Sequence, residues 1–139
     1  YICCAGYSIV YSCIKFALII LGLASSAYAH EQTPAYPKMK FSHVKGVVKY
    51  ELSLFNQRED AKYYQIALFD KDFNSMPFST KYRIMKVDYK QRVNFDVYVR
   101  KSDLKRAMYI CTTSKVIKER SSRPIISSMI CSKIKEEIK

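Results

Sequence analysis

Cysteine is the residue type in this chain with the clearest chemistry, and its five copies fall into two groups. Cys3, Cys4 and Cys13 lie near the start of the chain, whereas Cys111 and Cys131 lie near its other end. The second pair lacks the C-x-x-C spacing of a redox motif. In an exported protein an even pair favours a disulfide, with a metal site as the alternative. A disulfide closing that loop of about 20 residues would stabilise the fold by roughly 3 kcal/mol.

Histidine offers a second possible chemistry, copper binding. If the chain is cleaved after Ala29, His30 becomes the first residue, and its amine and imidazole can chelate copper together. Such a site needs further ligands, and the sequence offers His43 and a soft ligand such as Met39. Coincidence at the cleavage point explains His30 more simply. We therefore expect no metal and no other cofactor.

Motifs for catalysis are absent from the sequence. It contains no G-x-S-x-G, no H-E-x-x-H and no glycine-rich phosphate loop. Glu59 and Asp60 are adjacent in a predicted turn, so they would not face each other across a substrate. The sequence predicts a protein that is not an enzyme.

Residues 1–29 have the layout of a secretory leader with upstream residues. Lys15 precedes an apolar run over residues 16–24, and Ala27, Tyr28 and Ala29 form an A-x-A cleavage site. The run is too short for a membrane span, which needs about 20 apolar residues. A buried core helix is the alternative. We expect a single domain over residues 30–139, in the periplasm or secreted, without stable membrane insertion after cleavage.

Apolar and polar residues alternate through much of this predicted domain, which is the period of a half-buried strand. The alternation is clearest at residues 48–54, 64–68 and 93–99. Shorter strands are predicted at residues 39–44, 82–87, 108–114 and 125–133.

Polar segments that carry turn residues separate these strands, at residues 56–60, 70–77, 88–90 and 101–106. Seven strands at this spacing predict an all-β fold, an immunoglobulin-like seven-stranded antiparallel sandwich with one disulfide. Helical spacing occurs only in the tail, at Ile130, Ile134 and Ile138. A group of aromatic residues is predicted to pack in the core rather than to line a ligand site. Its members are Phe55, Tyr63, Phe69, Phe73 and Phe78.

The order of segments resembles the N-terminal domain of periplasmic pilus-assembly chaperones. The similarity runs from GVVKYELSLFN and YYQIALFD, through MPFSTKYRIMKVDYKQRVNFDVYV, to MYICTT. Within it, Pro77-Phe78 and Arg83 occur in the family's order. One chaperone subgroup has a disulfide between its last two strands, and Cys111 and Cys131, on either side of a basic segment at residues 115–123, resemble that arrangement. Complete chaperones also have a second immunoglobulin-like domain.

The resemblance implies that the protein binds another exported protein by strand addition. The last strand of the chaperone completes a partner that lacks a strand; main-chain hydrogen bonds supply affinity and alternate side chains fill the partner's groove. The donor residues would be Ile125, Ile126, Met129 and Ile130. Either the even-numbered set (Ile126, Ser128, Ile130) or the odd-numbered set (Ile125, Ser127, Met129) would face the groove. An ordinary edge strand protected by Arg123 and Lys133 is the alternative.

The family also anchors its partner's carboxylate with a pair of basic residues. The residues of this chain nearest to that pair in the alignment of segments are Lys38 or Lys40, together with Lys115. The resemblance implies that these residues lie together in the cleft.

The chain is strongly basic, with a net charge of +12, of which Lys15 in the leader contributes one. The basic residues are scattered and are not interleaved with aromatics in a motif, so we expect no nucleic-acid partner. A pilin-like or surface subunit is the expected partner. The alternative function is a structural interaction module of a secretion, conjugation or surface apparatus, and a periplasmic copper-binding protein is a more distant one.

Overall fold

The computed structural model describes residues 29–115 and 126–134. The strands in these two ranges are β1 (Glu31–Thr33), β2 (Lys40–Phe41), β3 (Val47–Phe55), β4 (Tyr63–Phe69), β5 (Ser75–Met76), β6 (Ile84–Lys86), β7 (Arg92–Arg100), β8 (Tyr109–Lys115) and β9 (Met129–Lys133). A short 3₁₀ helix, Lys101–Asp103, follows β7. Two antiparallel sheets contain these strands, which confirms the predicted all-β sandwich.

The two sheets have the strand order of an immunoglobulin-like sandwich. In the first sheet, β3 lies between β7 on one side and β1 and β2 on the other. In the second sheet, β4 pairs with β8 on one side and with β5 and β6 on the other, and β9 pairs with the far side of β8. These neighbours match strands A, B and E in one sheet and C, F and G in the other.

The core lies between the sheets and follows the predicted alternation. Its largest contributors are Val48, Tyr50, Leu52 and Leu54 of β3, Tyr64, Ile66 and Leu68 of β4, Phe95, Val97 and Val99 of β7, and Ile110 of β8. Each fully buried aliphatic or aromatic side chain stabilises the fold by about 1.5–3 kcal/mol relative to its exposed state. The three strands with the clearest alternation therefore supply most of the stabilising contacts.

Strand boundaries differ from the prediction where strands are short. The described residues contain nine strands rather than seven, because β1 forms before the first predicted strand and β5 forms within the predicted break at residues 70–77. The Asp70 carboxylate accepts hydrogen bonds from the backbone N–H groups of Asp72 and Asn74. These bonds form a tight turn that brings β5 back alongside β4. The helical spacing of the tail is not realised at Ile130, which lies in β9; Ile138 lies outside the described residues.

The prediction that the five aromatic residues pack in the core is wrong. Phe55, Tyr63 and Phe69 occupy the positions of β3 and β4 that alternate with the buried ones, so they lie on the outer faces. Phe73 is 51% exposed and stacks on Tyr109. Of the five, Phe78 alone packs against the core, as a partly buried ring.

Candidate functional site

The predicted disulfide between Cys111 and Cys131 is present, which confirms the pairing and removes the metal alternative for these sulfurs. The two residues lie directly opposite each other on β8 and β9, with their Cα atoms 4.0 Å apart. Of the two kinds of pair in an antiparallel ladder, the non-hydrogen-bonded kind has the closer Cα atoms, at about 4.5 Å, and this pair is slightly closer still. The disulfide therefore fixes the last strand of the sandwich to its neighbour.

The outer edge of β9 is defined by which backbone groups point away from β8. The Ser114 N–H donates to the Ser128 carbonyl, so even-numbered residues of this segment form the hydrogen-bonded pairs with β8. In an antiparallel ladder the intervening residues direct their N–H and C=O groups to the other side. Met129, Cys131 and Lys133 therefore present their backbone groups at the edge of the sheet.

The N-terminal segment covers one half of this edge. The Lys133 N–H donates to the Ala35 carbonyl at 2.9 Å, and the Ser132 hydroxyl donates to the Pro34 carbonyl at 2.7 Å. No hydrogen bond from the outward backbone groups of Met129 or Cys131 to any residue in 29–115 or 126–134 is present. The edge strand is thus covered at its C-terminal end and open, within the described chain, at its N-terminal end.

A buried histidine contacts the inward side of the open half of β9. His30 is only 2% exposed; its Nε2 lies 3.1 Å from the Thr112 carbonyl, which can only accept, so Nε2 carries the proton. Nε2 is also 2.9 Å from Thr112 Oγ1, while Nδ1 accepts from the Ser128 hydroxyl at 3.1 Å. Burial, reinforced by the nearby Arg58 charge, holds the pKa of His30 below its usual value. The imidazole is therefore neutral at pH 7.

Gln32 repeats this arrangement one step further along β1. Its amide group donates to the Ile110 carbonyl at 2.8 Å and to Ser132 Oγ at 2.7 Å, and its oxygen accepts from the Thr112 hydroxyl at 2.6 Å. Because β1 belongs to the first sheet and these partners to the second, His30 and Gln32 join the sheets with polar side chains. Every buried side-chain N and O in the described residues has a hydrogen-bond partner.

The buried guanidinium group of Arg58 lies against the inward side of the chain at the start of β9. Its Nη1 donates to the hydroxyls of Ser114 and Ser128, both at 3.2 Å. Its Nε and Nη2 form a bidentate pair with the Asp60 carboxylate at 2.8 and 2.6 Å. The Arg58 hydrogen bonds lower the pKa of Asp60, so this pair stays charged at neutral pH.

Asn56 holds the loop that carries Arg58. Its amide nitrogen donates to the carbonyls of Ala61 and Val87, and its oxygen accepts from the Arg58 N–H and the Tyr64 hydroxyl. Asn56 and Arg58 continue the alternation of β3, in which even-numbered residues point inward. That continuation is the sequence signal that identifies them, although they lie in a segment predicted to be a polar break.

The predicted carboxylate-anchoring lysines are not brought together. Lys40 lies on the outer face of the first sheet, where it and Lys49 form ion pairs with Glu51. Lys115 ends β8 on the outer face of the second sheet, and Lys38 is an exposed residue before β2. Among the described residues, Arg58 is the basic group that lies against the start of β9, and it is engaged by Asp60.

The predicted donor residues fall into different environments. Ile126 is 71% and Met129 is 52% exposed, whereas Ile130 is half-buried on the inward side of β9. Ile125 lies outside the described residues. Of the two alternative sets of groove-facing residues, the even-numbered set contains Ser128, which is already engaged by the sandwich's own network. The odd-numbered Met129 faces away from it.

The histidines cannot share a copper ion in this conformation. His30 precedes β1, which pairs with the Phe55 end of β3, whereas His43 follows β2, which pairs near Val48. Seven residues of strand separate these positions by about 24 Å. Within the described ranges, no group of three or more His, Cys, Asp or Glu residues could hold a metal ion.

Comparisons with known proteins add no relative, since no family model and no curated protein matches the chain. Among the described residues, no helix is both long and apolar enough to cross a membrane. Within residues 29–115 and 126–134, fold and site together define a class: an all-β antiparallel sandwich in which β9 lies at the edge of its sheet, fixed by a disulfide and by a buried polar network.

Proposed function

We propose that this protein is a periplasmic or secreted protein-binding domain that takes up its partner by strand addition along the open half of β9, in the manner of pilus-assembly chaperones. The observation that carries the proposal is the pair of outward backbone positions, Met129 and Cys131, on an edge strand whose other half is covered. Unpaired N–H and C=O groups on an edge strand are a template for another chain. The predicted leader and the disulfide fit an oxidising compartment.

The energetics of such pairing are modest, which suits a reversible complex. Two outward residues offer up to four backbone hydrogen bonds, each contributing about 0.5–1.5 kcal/mol net. The exposed side chains of Ile126 and Met129 add apolar burial if they enter the partner's groove. Because the disulfide and the His30 network hold β9 in place, little ordering entropy opposes binding on this side.

The partner would be another exported protein with an incomplete sheet, such as a pilin-like or surface subunit. It needs an unpaired strand that can lie beside Met129 and Cys131, and it cannot extend past Lys133, whose N–H is bound by Ala35. The paired stretch is therefore short. The point at which the N-terminal segment covers β9 limits how far the partner's strand can extend, and it thereby sets the register of that strand against β9.

A proline substitution tests the proposal at one backbone atom. The Met129 N–H points away from β8, so Met129→Pro removes an outward donor without breaking the ladder to β8. Met129→Ala is the matched control, because it removes the same side chain and keeps the N–H. The tagged domain of residues 30–139 would be used to isolate its partner from the native envelope. Affinities of the purified pair would then be compared between the two variants.

We expect Met129→Pro to weaken the complex by at least about tenfold relative to Met129→Ala, since a lost backbone hydrogen bond leaves a buried carbonyl of the partner unsatisfied. Thermal melts of the two variants should agree within a few degrees. Equal affinity of the two variants, or the absence of any specific partner for the wild-type domain, would refute strand addition at β9.

A further inference from the structure

The two outer faces of the sandwich carry charge in different ways. On the outer face of the first sheet, basic residues have acidic partners: Lys40 and Lys49 pair with Glu51, and Arg92 lies 3.5 Å from Glu31. The outward-facing residues of β4, β6, β8 and β9 form the opposite face, which we call the disulfide face because Cys111 and Cys131 lie in it. None of these four strands contains an Asp or a Glu.

The charges on the disulfide face are all positive and all lack a partner within the described chain. Lys86, Lys115 and Lys133 are exposed, and none of them forms an ion pair with an acid in residues 29–115 or 126–134. Lys86 and Lys115 stand on either side of Tyr63 in one row of the sheet. The described acids nearest in sequence lie outside these strands: Asp60, before β4, is engaged by Arg58, and Asp88, two residues after Lys86, is exposed and forms no ion pair within the described residues.

Exposed apolar side chains stand in the adjacent row of the same face. Ile84 is 56% exposed and lies beside Gln65, and Met129 lies beside Thr113, which pairs with Gln65. The row of Ile84 and Met129 is therefore about 7 Å from the row of Lys86 and Lys115, because side chains on one face recur every second residue. Ile84, Met129, Lys86 and Lys115 therefore stand together at one end of the disulfide face, whereas Lys133, which pairs with Tyr109, lies about 20 Å away toward its other end.

We propose that the disulfide face lies flat on an anionic membrane surface, with its three lysines at lipid phosphates and with Ile84 and Met129 at the boundary of the acyl chains. Lysine stems can extend over apolar surface while the ammonium group remains in the headgroup layer. Unpaired lysines beside exposed apolar residues are the combination that such surface binding uses. The docking uses side chains on a face, so it goes beyond strand addition, which uses the edge of β9.

Two other occupants fit the face less well. A second copy would bring three unpaired lysines against three more, and like charges repel across an interface. A stable protein interface buries about 800 Å² on each partner. The disulfide face measures roughly 20 Å by 15 Å from strand length and spacing, or on the order of 300 Å² in projection. A lipid surface has no such minimum area.

Vesicle co-sedimentation tests the proposal with the domain of residues 30–139. The probes are vesicles of phosphatidylcholine and phosphatidylglycerol in a two-to-one ratio, and vesicles of phosphatidylcholine alone, at physiological salt. The test variant combines Lys86→Gln, Lys115→Gln and Lys133→Gln. The matched control variant has the same net charge and combines changes at exposed lysines elsewhere: Lys38→Gln, Lys45→Gln and Lys101→Gln.

We expect binding to the anionic vesicles only. Each lysine near such a surface is worth about fivefold in affinity, so the test variant should lose about a hundredfold. The control variant should lose less than about threefold, because its lysines do not face the lipid. Ile84→Asn, which leaves the charge unchanged, should weaken binding severalfold.

Three results would overturn the proposal: no binding to anionic vesicles, equal binding to neutral ones, or equal losses in the two triple variants. Its failure is distinct from failure of strand addition, because the test variant keeps the β9 backbone and should still capture the protein partner. If vesicles do not bind and the test variant instead loses that partner, the face binds an acidic protein and not a membrane.

Discussion

The strongest prediction about stability concerns Asn56, because one buried side chain makes four hydrogen bonds. Its amide donates to two carbonyls, those of Ala61 and Val87, and its oxygen accepts from the Arg58 backbone and the Tyr64 hydroxyl. Both donors and both acceptors of the amide are therefore used once each. Asn56→Ala removes all four bonds at once.

The magnitude follows from that count. A net 0.5–1.5 kcal/mol for each bond gives a cost of about 4 kcal/mol for Asn56→Ala, a large part of the roughly 5–15 kcal/mol that stabilises a domain. Tyr64→Phe removes one bond and should cost about 1 kcal/mol. In Asn56→Ala the Tyr64 hydroxyl already lacks its partner, so the double variant should cost no more than Asn56→Ala alone. The coupling between the two sites is then about 1 kcal/mol.

Equilibrium urea denaturation of the oxidised domain at pH 7, followed by circular dichroism, measures all four members of this cycle. Slopes with urea should be equal among them if only the folded state is affected. The reasoning fails if Asn56→Ala costs no more than Tyr64→Phe, or if the two costs simply add in the double variant. The first result would mean that Asn56 does not hold the loop and that Arg58 is positioned by other contacts; the second would mean that the Tyr64–Asn56 hydrogen bond does not stabilise the fold.

Three further perturbations test separate parts of the fold. Because the folded pKa of His30 lies below its unfolded value of 6.5, the free energy of unfolding should decrease as the pH is lowered through and below that value; urea midpoints at pH 8, 6 and 5 should show this, and His30→Gln should lose the dependence. Reduction of Cys111–Cys131, which spans 20 residues, should lower stability by about 3 kcal/mol, and a thermal melt unchanged by reductant would contradict this. Gly46 has φ +79° with open space where a Cβ would lie, so Gly46→Ala should cost about 1 kcal/mol from backbone strain alone, with Gly46→Asn costing less in the same melt.

Sequence alone predicts the long strands because their signal is local. The alternation of apolar and polar residues in β3, β4 and β7 identifies each strand and its buried face without any information about the neighbouring strands. Short strands carry too few residues for a period: β1 and β5 exist because β3 and β4 pair with them. The same alternation, applied strictly, also assigns Phe55 and Phe69 to the outer faces.

The candidate site was only partly predictable, for the same reason. The cysteine count predicts the disulfide, because the two cysteines that follow the predicted leader can pair in only one way. The open edge depends on where the N-terminal segment crosses from the first sheet to Lys133, and sequence spacing does not encode that crossing. The sequence did not identify Arg58 as a residue of the site, because its hydrogen-bond partner Ser114 is 56 residues away along the chain. Its even-numbered position, continuing β3, was the available clue.

The serines of the last strand connect the network to the proposed function. As a donor of side chains, this strand is weakly apolar, since Ser128 and Ser132 occupy inward positions where a partner's groove would favour aliphatic residues. In the sandwich those hydroxyls are bound by His30, Gln32 and Arg58, so they hold the strand to its own domain. Because these bonds lie on the inward side of the strand, its outward backbone N–H and C=O groups stay available for pairing. The affinity of this edge therefore depends on main-chain hydrogen bonds and on residues such as Met129, which makes a backbone substitution a more decisive test than a change of core side chains.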